Sequence, residues 1–137
     1  MSKASFINEL SLPAIAAPMF LISGPQLVIE CCKNGIVGTF PALNQRTTEG
    51  FEAWVLEIKS ALATYEKETG KKPAPFGVNL IVHKSNPRLE ADLAICVKHK
   101  IALIITSLGA VSELVNTVHS YGGLVFHDII KKRHAVH

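Results

Sequence analysis

Five short apolar runs along this chain each end in residues able to do chemistry. Those ends read Ala17-Pro18-Met19, Thr39-Phe40-Pro41, Asn79, Thr106-Ser107 and His127-Asp128. They offer amide, hydroxyl, thioether and imidazole groups, with Asp128 the one carboxylate. A divalent metal needs several clustered carboxylate, thiolate or imidazole ligands, so no metal site is expected. A flat heteroaromatic ligand with hydrogen-bonding edges suits a polar but nearly uncharged rim better. Each residue also has a plainer reading. Asn79 could tie down a turn, Met19 could fill core, and His127 with Asp128 could be a local hydrogen-bonded pair.

Other constellations fail on spacing. Gly35-Ile36-Val37-Gly38 lacks the third glycine of a dinucleotide fingerprint and precedes a strand pattern rather than a helix. No GxxxxGK[ST] phosphate loop and no serine nucleophile elbow occurs. His134 and His137 lie in a charged tail as a lone pair, too few ligands for a metal. Cys31, Cys32 and Cys96 fit neither a disulfide framework nor a zinc site, and read as buried thiols in a reducing compartment.

The elements that must position these ends alternate between strand and helix. Residues 13–17 read as a short buried strand ended by Pro18. Residues 24–34 form a helix with Pro25 in its first turn, a face of Leu27, Val28, Cys31 and Cys32, and a stop at Asn34-Gly35. A strand over 36–40 is closed by Pro41. From Thr48 to Thr69, Phe51, Trp54, Val55, Ile58, Leu62 and Tyr65 recur at helical spacing, with Thr47 or Thr48 as cap and Gly70 at the end. A strand over 76–80 follows, then a helix capped by Asn86 with Pro87 at its first position and Leu89, Leu93, Cys96 and Val97 on its apolar face. Residues 101–106 are apolar throughout, as in a strand covered on both sides. Val111, Leu114, Val115 and Val118 mark another helix, ended by Gly122-Gly123, and 124–126 is the fifth strand. This alternation predicts right-handed βαβ units and a parallel sheet, whose ligands sit beyond the carboxyl ends of the strands.

Length and composition set the limits. At 137 residues, 48% hydrophobic and 18% charged, the chain is an apolar globular sequence and not a disordered one. It suits one domain, yet a complete (β/α)8 barrel needs about 250 residues. The 14 Lys+Arg against 11 Asp+Glu give a formal charge of +3, too weak and scattered to argue for nucleic acid. The basic groups Lys71-Lys72 and Lys131-Lys132-Arg133 read as solvated surface. An early proline makes a poor signal peptide, and no run reaches the roughly 20 apolar residues of a membrane span. The expectation is a soluble, cytoplasmic protein. Five strands could also complete a flavodoxin-like or receiver-like module. A receiver, however, needs acidic residues where this chain has Ala17-Pro18-Met19, and an aspartate where it has Asn79.

Five ordered segments carry a family resemblance: AAPMF at 16–20, NGIVGTFPALN at 34–44, PFGVNL at 75–80, TSLGA at 106–110 and GGLVFHDIIKKRHA at 122–135. From about residue 11 onward the chain resembles the amino-terminal part of nitronate monooxygenases, the 2-nitropropane dioxygenase-like flavoproteins. The resemblance implies the first four and a half or so βα units of an FMN-binding TIM barrel, truncated within one domain spanning 1–137. It implies oxidation of alkyl nitronates with molecular oxygen. It also implies roles: Ala17, Pro18 and Met19 along the flavin ring, Asn79 and Ser107 near the flavin, and His127 as the catalytic imidazole. Asp128 stands where that family often has a cofactor-contacting lysine, which marks a departure. The phosphate contacts and catalytic base of such enzymes lie in a carboxyl-terminal half that these residues do not include. A flavin-dependent enoyl reductase of the same barrel superfamily is the nearest competing implication. A half barrel also implies an open sheet edge through which copies could self-associate.

Overall fold

The computed structural model describes residues 3–8, 10–109 and 111–131. Lys132, Arg133, His134 and His137, which figure in the basic cluster and the histidine pair, lie outside the described residues, as does Ala110. The described elements run α1 (Lys3–Asn8), β1 (Ile15–Ala16), α2 (Pro25–Lys33), β2 (Val37–Pro41), a 3₁₀ turn (Ala42–Asn44), α3 (Thr48–Thr69), β3 (Phe76–Ile81), α4 (Leu89–Lys98), β4 (Leu103–Ser107), α5 (Ser112–Ser120) and β5 (Leu124–His127).

All five strands are parallel and lie in sequential order, β1-β2-β3-β4-β5. Right-handed crossovers between successive neighbours put α2 to α5 on one side of the sheet. A flavodoxin-like or receiver-like sheet instead reverses direction at a switch point and carries helices on both faces. The sequential order overturns that alternative. It is the strand order of a barrel, and the chain forms the first four and a half βα units of one.

Helix α3 follows the sequence pattern closely. Thr47 Oγ1 accepts from the Gly50 amide at 3.0 Å, satisfying one of the unpaired amides of the first turn. Gly70 ends the helix at φ 68, its amide donating to Glu66 O at 2.9 Å. Phe51, Val55, Ile58 and Leu62 are buried against the sheet, and Phe40 of β2 packs its ring against Phe51 and Trp54 at 5.9 and 5.8 Å between centroids. Helix α2 sits closer still. A Cβ at Gly38 would lie 2.6 Å from Val28 O, so the approach of α2 to β2 depends on this glycine.

Three local readings differ from the structure. The buried face of α2 is Pro25, Val28, Ile29 and Cys32, turned away from Leu27, which is exposed. Helix α4 begins at Leu89, because Asn86 Oδ1 accepts from the Arg88 amide at 3.0 Å and spends Asn86-Pro87 on a turn before the helix. Helix α1 has no counterpart in the sequence pattern. Its Phe6 is 3% exposed and packs with Val37, Leu103 and Leu124, filling the amino-terminal end of the sheet's inner face.

Buried polar contacts join the helices. Asp92, fully buried, accepts from Thr48 Oγ1 at 2.8 Å and from Arg88 Nη2 at 3.0 Å. Arg88 Nη1 also donates to Gln45 O at 2.6 Å, so α4, the start of α3 and the turn after β2 share one ion pair. Lower on the same helices, Glu52 meets Lys98 Nζ at 2.8 Å and His99 Nε2 at 2.6 Å. The bond from Lys98, then that from His99, holds the Glu52 carboxyl below its usual range. Burial pushes the Cys32 thiol up to about 11, and raises Cys96 and Tyr121 as well. Cys32 and Cys96 are buried free thiols, while Cys31 is half-buried.

Candidate functional site

Strand alternation and the two core clusters assign each rim residue to a face. Phe40, Phe76, Val78, Leu80 and Ile104 pack under the helices, with Val125 against them, and define the convex face. Val37, Leu103 and Leu124, with Ile15 and Ile105, define the concave face. Register pairs Thr39 with Gly77, Pro41 with Asn79, Asn79 with Ile105 and Ile81 with Ser107. Counting by twos, Ala17, Thr39, Asn79 and Ser107 fall on the concave side. Asp128 joins them, since its amide donates to Thr106 O at 2.8 Å and continues the β5 ladder one residue.

Asn79 is the best-built of these groups. It is 5% exposed, and its Nδ2 donates to Ile105 O at 3.0 Å and to Ser107 Oγ at 2.8 Å. Both amide hydrogens are thereby committed, which fixes the orientation of the side chain. Among the described residues none donates to Asn79 Oδ1, and none accepts the Ser107 hydroxyl hydrogen. The pair therefore presents one acceptor and one donor side by side, the complement of an imide or amide edge.

His127 is not part of that group. It pairs with Thr106 in register, and Thr106 Oγ1 and His127 Nδ1 share a hydrogen bond on the convex side, above Ile104 and Val125. The structure thus brings Ala17, Asn79, Ser107 and Asp128 to one face and turns His127 to the other.

Pro18 and Met19 belong to the loop after β1, which a residue from the next turn organises. Asn44 Nδ2 donates to Met19 O at 3.1 Å and to Ser23 O at 2.8 Å, while its Oδ1 accepts from the Leu21 amide at 3.0 Å. Ser23 Oγ accepts the Met19 amide at 2.9 Å, so both backbone groups of Met19 are engaged inside the loop. The loop holds Leu21 at φ 61 and leaves Phe20, Leu21 and Ile22 at 68%, 77% and 68% exposure. A leucine in the left-handed region costs roughly 1–2 kcal/mol, which the Asn44 bonds offset. The role of Asn44 was not assigned from sequence; its partners lie 21 to 25 residues away.

A parallel half barrel with a polar concave rim at the carboxyl ends of its strands is the frame of a TIM-barrel ligand site. Among solved structures, the fold is shared with FabK from Thermotoga maritima. The superposition has a TM-score of 0.79 at 16% identity and covers 99% of this chain and 40% of that one. A point mutant of the same FabK gives a TM-score of 0.78 at 16% identity, over 99% and 42% of the two chains. The enoyl reductase domain of MlnA, from the macrolactin biosynthesis cluster of Bacillus amyloliquefaciens, gives 0.62 at 21% identity, over 79% and 23%. The chain spans less than half the length of each. At these identities the likeness is one of fold. No protein-family profile matches the chain, and no curated protein does. No helix among the described residues is long and apolar enough to cross a membrane.

Proposed function

We propose that this chain forms the cofactor-facing first half of an FMN-dependent oxidoreductase that oxidises alkyl nitronates with molecular oxygen. The observation that carries the flavin reading is the Asn79–Ser107 pair, whose adjacent acceptor and donor fit the imide edge of a flavin ring. Asp128, after the adjacent β5, and Ala17, on the far side of β2, share the concave side with the pair, and Pro18 and Met19 lie in the loop after β1. A bound flavin supplies the redox chemistry, accepting reducing equivalents from a carbanion-like substrate and meeting oxygen. The residues of this chain hold the ring edge and shield the rim from water. His127, bonded to Thr106 from the convex side, contributes by holding the β4–β5 rim in register. Self-association through the free edge of β5, where Ile129 and Ile130 are exposed, belongs to the same proposal.

The choice of nitronate as substrate rests on the five ordered strand-end segments. Enoyl reduction is the second reading, favoured by the fold shared with the enoyl reductase domain of MlnA. Two assays on the FMN-supplemented chain separate them. Oxygen consumption with propane-2-nitronate and no nicotinamide requirement supports the first reading. NAD(P)H oxidation that depends on an enoyl thioester supports the second and overturns the first.

A further inference from the structure

Helix α4 carries more apolar surface than the sheet beneath it covers. Its fully buried residues are Asp92 and Cys96, while Leu89, Leu93 and Val97 are only half-buried. These three stand four residues apart and form one ridge along the helix. They make one wall of a groove of about 570 Å³, whose other wall is Val111, Leu114 and Thr117 of α5. The groove opens on the outer side of the helix layer, away from the sheet. Strands that extended the sheet would join at the free edges of β1 and β5, so a complete barrel leaves this face uncovered.

The neighbouring ridge of α4 is exposed throughout and has an internal symmetry. Glu90, Ala94 and Lys98 follow at intervals of four and line the same groove. An acid stands at the amino end, a base at the carboxyl end and a small side chain midway. Turned end for end about Ala94, the ridge lays acid on base. A second copy placed antiparallel across the first therefore sets Glu90 of each chain against Lys98 of the other, about 12 Å from end to end. Ala94 at the crossing lets the two backbones approach, and each α4 enters the groove of the other copy. The helix dipoles then run in opposite directions, and Glu113 adds to the acidic end. Lys98 Nζ lies 2.8 Å from Glu52 Oε1, but its ammonium has three donors and the side chain is 64% exposed, so it can serve a second carboxylate.

We propose that this face is a two-fold interface, through which the chain pairs with a second copy by antiparallel α4 helices crossing at Ala94. The contact uses the same patch on both copies, so it closes as a dimer. It is separate from the free edge of β5 and does not depend on the flavin or nitronate reading. Helices about 15 Å long bury less than a standard interface, so the pair should be concentration-dependent.

Sedimentation velocity on the full chain over a concentration series reads the monomer–dimer equilibrium. Ala94→Arg, a change on exposed helix surface, should leave only monomer with an unaltered circular dichroism melt. Glu90→Lys alone and Lys98→Glu alone should each weaken dimerisation about tenfold, because like charges then face each other. An equimolar mixture of those two variants should dimerise like the wild type, since opposite charges meet at both ends. Ala94→Cys should cross-link to its own copy on mild oxidation faster than Ala63→Cys, at an exposed alanine of α3. Should Lys98→Glu lose stability with its Glu52 contact, the two cysteine variants decide alone. A chain monomeric at every concentration, a dimer untouched by Ala94→Arg, equal cross-linking of the two cysteine variants, or a mixture of folded charge variants no better than its components would overturn the proposal.

Discussion

Replacing Arg88 with methionine should be the most damaging single change that leaves the rim residues themselves untouched. Asp92 is fully buried, and Arg88 Nη2 lies 3.0 Å from its Oδ2, which has no hydrogen bond among the described residues. Without Arg88 the carboxylate keeps, among the described residues, the Thr48 hydroxyl as its one side-chain donor. Leaving one half of such a pair buried costs about 3–5 kcal/mol, and losing the bond to Gln45 O adds about 1 kcal/mol. A domain of this size has roughly 5–15 kcal/mol in total, so the variant should sit near its unfolding threshold. The double variant Arg88→Met with Asp92→Leu removes both charges and should return to within about 1–2 kcal/mol of the wild type. Urea unfolding followed by circular dichroism measures both changes, with the slopes compared to confirm a common unfolded state. A loss below about 1 kcal/mol for Arg88→Met, or a double variant no better than the single one, would refute the reasoning.

Three further outcomes follow from the packing and electrostatics. Gly38→Ala should lower stability by about 1–3 kcal/mol, seen as a reduced Tm, because its methyl meets Val28 backbone and forces α2 off β2. The Glu52 carboxyl titrates below 4.5 in the folded protein, so its stabilising effect is present above the unfolded value and disappears as pH falls through the folded one. Glu52→Gln should therefore flatten the acid limb of the stability–pH curve, and an unchanged limb would contradict the contact. In a thiol-reagent assay at mild alkaline pH, Cys31 should react alone in the folded protein, with Cys32 and Cys96 appearing only on unfolding. Three equivalents reacting at once would contradict the packing.

Much of this architecture was legible because its signals are local. The stripe, cap and left-handed glycine of α3 lie within one continuous stretch, and all five strands are apolar runs closed by turn residues. What escaped depends on distant partners or on parity. Helix α1 is six residues long, and Phe6 is held by Val37, Leu103 and Leu124, none of them near in sequence. The side taken by His127 could not be read from Leu124-Val125-Phe126, since a strand apolar on both faces carries no alternation to count. Asn44 leaves no local signal of its role in the sequence. Asn44 acts on a loop more than twenty residues earlier.

Flavin binding at the concave rim around Asn79 is the central claim. An FMN titration of the 15N-labelled chain tests this directly, read at the Asn79 side-chain amide and the Ser107 backbone amide. Saturable shifts at both positions, abolished in Asn79→Leu while the fold is retained, are the predicted result. A titration that leaves Asn79 and Ser107 unmoved, or that shifts only the convex residues around Thr106 and His127, would contradict it.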